Sequence, residues 1–167
     1  METAMKTSVE TDLVPTLLSG LTAVERQRVL AMGERLTVKS GAILFTLGES
    51  AERLYLVESG RVNLALPVTL RGEEKDVLVE EKGRGEMVGW SALVPPHTFT
   101  LTAKVSVDAE LMSFSRERLT GLFDSEPAIG LTVMRNLAIL VGQRLVTAQT
   151  MWVREIQRAV DARFGAR

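Results

Sequence analysis

The sequence predicts a mainly β fold: an antiparallel β jelly roll (a double-stranded β-helix) with flanking helices, followed by one long C-terminal helix. Three observations lead to this prediction. Residues 34–115 consist of short segments rich in Val, Leu, Thr and Phe, separated by glycine-containing turns. Helical periodicity precedes this stretch and returns after Ser115. Beyond Pro127 there is no further proline, and apolar residues recur every three or four positions, which is typical of one continuous amphipathic helix.

The composition excludes several classes of function. The chain has 167 residues, of which 46% are hydrophobic and 25% charged, which is ordinary for a soluble domain with one appendage. Its formal net charge of -1 provides no general attraction to nucleic acid or to an anionic membrane. There is no cysteine, and His97 is the single histidine, so disulfides, iron–sulfur clusters and imidazole–thiolate zinc sites are excluded. We expect no metal or other cofactor and a cytoplasmic location.

The chain divides into three parts. Residues 1–12 (METAMKTSVETD) lack an apolar core of signal-peptide length, and we expect them to be disordered. Residues 13–125 should form the jelly-roll domain with its short flanking helices, and residues 126–163 the long helix. No apolar run is expected to reach membrane-spanning length, so we expect no membrane contact.

Short helices flank the predicted strands. After one helical turn at 14–19, a helix should begin at Thr22, because Glu25 stands at capping-box spacing, and it should end at Gly33. A short helix is predicted at 115–123, and the long helix should start at Pro127, where a missing N–H costs nothing. The first helix should bury Val24, Val29, Leu30 and Met32.

Seven β segments lie between these helices. Antiparallel strands joined by tight turns need glycine where φ is positive. The predicted segments are residues 35–38, 42–47, 53–57, 61–68, 76–79, 98–105 and 109–114, and the turn signals are Ser40-Gly41, Gly48-Glu49, Ser59-Gly60, Arg71-Gly72 and Gly83-Arg84-Gly85.

The long helix carries two apolar sides. One side exists only in the first half, where Val133, Leu137 and Leu140 meet Arg144, and it should pack on the β domain. The other side, here called the seam, is continuous, and we expect it to form a homodimer interface. A helix folded back on its own β domain is the alternative. The seam comprises Met134, Ala138, Val141, Leu145, Ala148, Trp152, Ile156 and Ala159.

Two stretches resemble a known family. Residues 40–66 (SGAILFTLGESAERLYLVESGRVNLAL) resemble the first half of a cyclic-nucleotide-binding domain in the order of their glycines and apolar positions. Residues 83–93 (GRGEMVGWSAL), here called the cassette, resemble the family's phosphate-binding cassette. The arrangement is most similar to the sensor half of bacterial catabolite-activator-type regulators. This resemblance implies a cyclic nucleotide as the ligand.

The resemblance also implies which residues would hold that ligand. In the family a glycine-rich turn leads into a short helix that holds the cyclic phosphate, and the long helix contributes contacts to the base. The cassette candidates are Gly85, Gly89, Trp90, Ser91, Ala92, Leu93, His97, Thr98 and Phe99, and the long-helix candidates are Thr147 and Gln149.

The cassette departs from the family at two polar positions. Trp90 stands where the family carries a glutamate that accepts from the ribose hydroxyl, and an indole only donates. The stretch 93–103 contains no arginine or lysine, and His97 or Thr98 stands at the arginine position. Losing the arginine should cost about 2–5 kcal/mol and losing the glutamate roughly 1–3 kcal/mol. We therefore expect impaired or altered cyclic nucleotide binding.

Two roles remain open for each unusual side chain. Trp90 either fills the ribose space and closes the site or lines an altered pocket for an apolar or aromatic effector. His97, in a Pro-Pro-His turn, is either a loop histidine or a ligand contact that responds to pH.

The sequence therefore predicts a stand-alone regulatory or sensor domain without catalytic residues, which signals through an unidentified protein partner. Fewer than ten residues follow the long helix, so we expect no helix-turn-helix domain and no direct nucleic acid binding. One alternative is a genuine cyclic AMP or cyclic GMP receptor with an unusual pocket. A more remote alternative is a cupin-type enzyme, which would need several histidines for its metal.

Overall fold

The structure is a computed structural model, and it describes residues 14–164, apart from the side chains of Leu70 and Phe164. The prediction for residues 1–12 therefore lies outside the described residues. The helices follow in the order that the sequence predicts. The seven predicted β segments become six strands in the described residues, because two pairs of segments each form one strand, 53–70 and 102–115, and an unpredicted short strand lies at Met87–Val88. In chain order the elements are a 3-10 turn at Thr16–Leu18, α1 Ala23–Leu30, β1 Glu34–Val38, β2 Ile43–Phe45, β3 Arg53–Leu70, β4 Glu73–Lys82, β5 Met87–Val88, a 3-10 turn at Trp90–Leu93, β6 Thr102–Ser115, α2 Arg116–Ser125 and α3 Pro127–Phe164.

The strands form one antiparallel sheet that curls around the core. Its order is β1-β6-β3-β4, with β2 also paired to β6 and β5 to β3. The long strands β3 and β6 pair along most of their length, from Arg53 opposite Ser115 to Ala65 opposite Thr102. The mainly β jelly roll with a long C-terminal helix is therefore confirmed.

The predicted turn at Ser59-Gly60 is wrong. Segments 53–57 and 61–68 belong to one strand, β3, whose register shifts on either side of Ser59. Gly60 has a φ of 82°, and a Cβ there would lie 2.6 Å from the Cα of Ala109. Gly60 is needed because β6 approaches so closely, and it bends β3 without reversing it.

The start of α1 is as predicted, but its buried side is narrower. The Thr22 hydroxyl accepts from the Glu25 N–H, and the Glu25 carboxylate accepts from the Thr22 N–H at 2.8 Å, which completes the capping box. Val29 is 3% exposed, whereas Val24 is 64% exposed. The prediction that Val24 is buried is wrong, because it lies five residues from Val29, roughly 140° around the helix.

The first half of α3 docks on the β domain. Ile129, Val133 and Leu137 are at most 2% exposed, in line with the apolar side predicted for this half. The Asn136 side-chain amide donates to two carbonyl oxygens of the N-terminal turn, that of Leu17 at 3.0 Å and that of Ser19 at 2.7 Å. Packing and hydrogen bonds together hold the first half of α3 against the β domain and the N-terminal turn.

The second half of α3 leaves the β domain. By length and composition alone, Pro127–Arg163 is long and apolar enough to cross a membrane, so the expectation that no segment reaches that length is wrong. Core helices meet the same criterion, and this helix has one face buried against the β domain. Large apolar side chains that stay exposed on α3 are Leu131, Met134, Ile139, Leu145, Val146, Met151, Trp152, Val153, Ile156 and Val160.

Candidate ligand-binding site

The cassette is positioned by β5 and by one glycine. Gly89, directly after β5, has a φ of 80°, which turns the chain into the 3-10 turn Trp90–Leu93. A Cβ at Gly89 would lie 3.1 Å from the Arg53 carbonyl oxygen, so the glycine is needed for space as well as for conformation. Ser91, Ala92 and Leu93 are buried, as the short helix of a binding cassette would require.

An aromatic stack forms the floor beneath the cassette. The Phe45 and Phe99 rings lie 3.8 Å apart between centroids and only 10° from parallel. Tyr55 also stacks with Phe45, with 6.2 Å between ring centroids, and burial raises the pKa of its phenol. Phe99, predicted as a ligand contact, is 5% exposed and lines a small cavity beside the cassette together with Trp90.

Contacts within the protein hold His97 and Thr98 in place. His97 has a φ of 58°, and its Nδ1 lies 3.0 Å from the Ala92 carbonyl oxygen. Its own carbonyl accepts from the Ala51 N–H at 2.7 Å, and Thr98 pairs with Ser50 in an isolated bridge. These contacts favour the loop role for His97 over that of a ligand contact.

Two small cavities lie beside the cassette, and Trp90 lines both. Their volumes are about 80 Å³ and about 20 Å³, well below the roughly 300–1,000 Å³ of typical ligand pockets. Leu64, Trp90 and Arg144 line both, while His97 and Thr98 line neither. The Trp90 indole and the Arg144 side chain thus border both cavities.

Gly85 lies apart from the other cassette candidates. Its N–H donates to the Val57 carbonyl oxygen at 2.8 Å. It lines a groove of about 390 Å³ between α1 and the β domain, together with Leu30 and Arg35. The structure therefore brings together residues 89–93 but places Gly85 on a different surface.

Charged side chains of alternating sign surround the larger cavity. Arg144 Nη2 lies 3.9 Å from Glu80 Oε2, Lys82 Nζ lies 3.6 Å from the same oxygen, and Lys82 Nζ also lies 3.1 Å from Glu86 Oε1. The Arg144 guanidinium also covers the Trp90 ring, with 5.6 Å between Cζ and the ring centroid. A cation–π contact at this distance is favourable.

Arg144 is the site residue that the sequence analysis missed. The predicted helix residues Thr147 and Gln149 are exposed and line neither cavity, and the Thr147 hydroxyl donates to the Gln143 carbonyl oxygen. Leu140 and Arg144 face the cassette instead. The sequence did contain a signal for Arg144, because this charged residue interrupts the apolar side of α3 that packs on the β domain.

A metal centre finds no support within residues 14–164. No group of three or more His, Asp or Glu side chains in this range is placed to hold a metal ion.

Comparison with known proteins places this geometry in a family. The model of the cyclic nucleotide-binding domain matches residues 35–126, more than half of the chain. The chain belongs to the cyclic nucleotide-binding domain family. The matched range contains the whole cassette, whereas all of α3 lies beyond it.

The relatives are regulators, or proteins that carry such a domain as one part. The chain is 32% identical to Glutaminase 1 of Bradyrhizobium diazoefficiens over 79% of its own length but only 20% of that protein. It is 30% identical to the cyclic AMP receptor protein of Thermus thermophilus, over 77% of this chain and 56% of the receptor. The chain thus spans little more than half the receptor's length.

Solved structures agree on the fold. The catabolite activator protein of Thermus thermophilus superposes with a TM-score of 0.70 at 30% identity, covering 82% of this chain and 61% of that one. A cyclic nucleotide-binding domain from Methylobacillus flagellatus reaches 0.74 at 16% identity, over 86% of this chain and 82% of that one. Family and fold together support a cyclic nucleotide-binding regulatory domain over a cupin-type enzyme.

Proposed function

We propose that this cyclic nucleotide-binding domain is a non-catalytic regulatory module whose cassette is closed to ordinary cyclic nucleotides. It acts as a homodimer in the cytoplasm and signals through a protein partner, not through nucleic acid or a membrane. The observation that carries the proposal is the pair Trp90 and Arg144, which fills the site and leaves cavities of about 80 Å³ and about 20 Å³. A regulatory domain of this kind reports on its surroundings through the long helix.

The lining of the site supports impaired binding. A cyclic nucleotide offers a ribose hydroxyl and a phosphate, which need an acceptor and a cation at the cassette. Trp90 supplies a donor only, and His97 is turned toward the Ala92 carbonyl oxygen. Glu80 and Glu86 beside the larger cavity would repel a phosphate, and their charges offset those of Lys82 and Arg144.

The surface of α3 supports the homodimer. Three residues of the seam, Leu145, Trp152 and Ile156, are 57%, 69% and 64% exposed in the single chain. Exposed apolar side chains in one stripe of this length need a partner surface, and a second copy of the same helix supplies one of matching pattern. The outer half of α3 would then be covered by its symmetry mate.

A second candidate is a genuine cyclic nucleotide receptor. It is favoured by Arg144, which supplies at the cassette the cation that the 93–103 stretch lacks. In that case the ligand would move the Trp90 indole aside and bring its phosphate to the guanidinium.

Isothermal titration and thermal shift with cyclic AMP, cyclic GMP and cyclic dinucleotides separate the two candidates. The wild type is compared with Trp90→Glu, which restores the family's acceptor, and with Val24→Glu, which adds the same charge on α1. A site with a Kd of about 10 μM would gain about 2.7 kcal/mol of stability at 1 mM ligand. We expect no such gain for the wild type or Val24→Glu, and a measurable one for Trp90→Glu. Micromolar binding by the wild type would refute the closed cassette and establish the receptor.

A further inference from the structure

The guanidinium of Arg144 is the point at which three parts of the molecule meet. It extends from α3, lies over the ring of Trp90 in the cassette at 5.6 Å, and reaches Glu80 on β4 at 3.9 Å. Its side chain is 24% exposed, so both contacts are partly shielded from water. The long helix is thereby joined to the cassette by one residue.

The partners of Arg144 are themselves held in place. Glu80 is also approached by Lys82 at 3.6 Å, and Lys82 pairs with Glu86 at 3.1 Å. The Glu86 carboxylate in turn accepts from the Gly83 N–H at 2.8 Å, at the start of the cassette. A charge held between fixed partners loses little conformational entropy when the contact forms.

The chain itself supplies each of these groups, so the helix and the cassette are engaged without any bound ligand. We propose that Arg144 is a latch that holds α3 on the cassette in the ligand-free protein, through its contacts with Trp90 and Glu80. Release of Arg144 is then the step by which an effector or a partner protein frees the helix. This inference goes beyond the proposed function because it holds whether or not a nucleotide binds.

Trp90 is a convenient reporter of the latch. The chain has two tryptophans, and the other, Trp152, is 69% exposed on the outer half of α3. A Trp152→Phe background keeps an aromatic side chain there and leaves Trp90 as the single source of tryptophan fluorescence. Acrylamide quenching then measures access to the Trp90 ring, and hydrogen exchange of residues 137–150 measures the docking of α3.

The variants are Arg144→Ala, Arg144→Lys and a matched control, Arg135→Ala. Arg135 is exposed and lies nine residues earlier on α3, roughly 180° away around the helix. Loss of a cation–π contact should shift the docked-to-released equilibrium by about two- to thirty-fold. We expect Arg144→Ala to raise both readouts by a factor in that range, Arg144→Lys to rescue them in part, and Arg135→Ala to match the parent.

A double-mutant cycle distinguishes a latch from general loosening of the helix. Trp90→Leu removes the ring but keeps an apolar side chain in the space, and exchange of β6 amides verifies that the β domain stays folded. If Arg144 and Trp90 act together, Arg144→Ala should release α3 less when Trp90 is Leu than when Trp90 is present, because only the contact with Glu80 is then left to lose. Additive effects, or equal exchange in Arg144→Ala and Arg135→Ala, would overturn the latch.

Discussion

Leu145→Asp tests the proposed homodimer at the centre of the seam. Leu145 is 57% exposed in the single chain, so its value as an interface residue depends wholly on a partner. Ile139 offers a matched control: it is also 57% exposed, and it lies six residues earlier on α3, roughly 120° away from Leu145 around the helix. The same carboxylate placed at Ile139 would stay in water in the seam-mediated dimer.

The exposed area of Leu145 determines how much Leu145→Asp should weaken the dimer. Burying a whole leucine side chain is worth about 1.5–3 kcal/mol. The exposed 57% of Leu145 therefore accounts for about 1–2 kcal/mol per chain. A twofold interface contains the residue twice, so its loss costs about 1.7–3.4 kcal/mol per dimer, or about 20- to 300-fold in Kd. A carboxylate in the interface adds a further desolvation cost.

Sedimentation velocity over a range of protein concentrations measures this directly. We expect the wild type and Ile139→Asp to sediment as dimers and Leu145→Asp as a monomer at the same concentrations. Leu145→Asp should leave the far-UV circular dichroism unchanged, since the residue lies outside the core. A dimer that persists in Leu145→Asp, or one that Ile139→Asp dissociates equally, would refute the seam as the interface.

Three further predictions concern stability, each measured by urea denaturation. Gly60→Ala should cost about 2–4 kcal/mol of folding stability, because Gly60 has a positive φ and a Cβ there would clash with β6. Gly72→Ala is the control: its φ is 84°, but a Cβ there would meet no atom within 4 Å, so it should cost only about 1–2 kcal/mol. Equal losses in the two variants would contradict the role of close approach. Leu137→Ala should cost about 2–5 kcal/mol, because this side chain is 1% exposed where α3 docks, and a loss below about 1 kcal/mol would mean that the helix is not docked. The backbone N–H of Thr22 holds the pKa of the Glu25 carboxyl below its usual 4.5. The stability that this carboxylate contributes to the fold is therefore present above pH 4.5 and is lost as the pH falls through the lowered pKa. Glu25→Gln should consequently lose less stability on acidification than the wild type.

Local patterns predict the helices and strands well where one short-range cause decides the structure. The capping box at Thr22, the proline start of α3 and the two-sided pattern of its first half were all readable, because each depends on residues within a few turns. Gly60 misled for a long-range reason. A glycine with positive φ fits a hairpin turn and a bend within a strand equally well. At Gly60 the bend is required by the close approach of Ala109, which is distant in sequence but lies on the neighbouring strand β6.

The site shows the same division between local and long-range causes. The sequence predicted an altered cassette from residues that are close together in the chain: the glycine-rich turn, and Trp90 at the position where the resemblance leads one to expect a glutamate. Which cation faces the cassette is a property of the docked helix: Arg144 reaches Trp90 because Val133 and Leu137 orient α3, and this rotation places Thr147 and Gln149 outward. Although residues 93–103 contain no arginine or lysine, Lys82 of β4 and Arg144 of α3 bring positive charge beside the cassette. Because Arg144 contacts the cassette from α3, we expect it to couple any change at the cassette to the position of that helix.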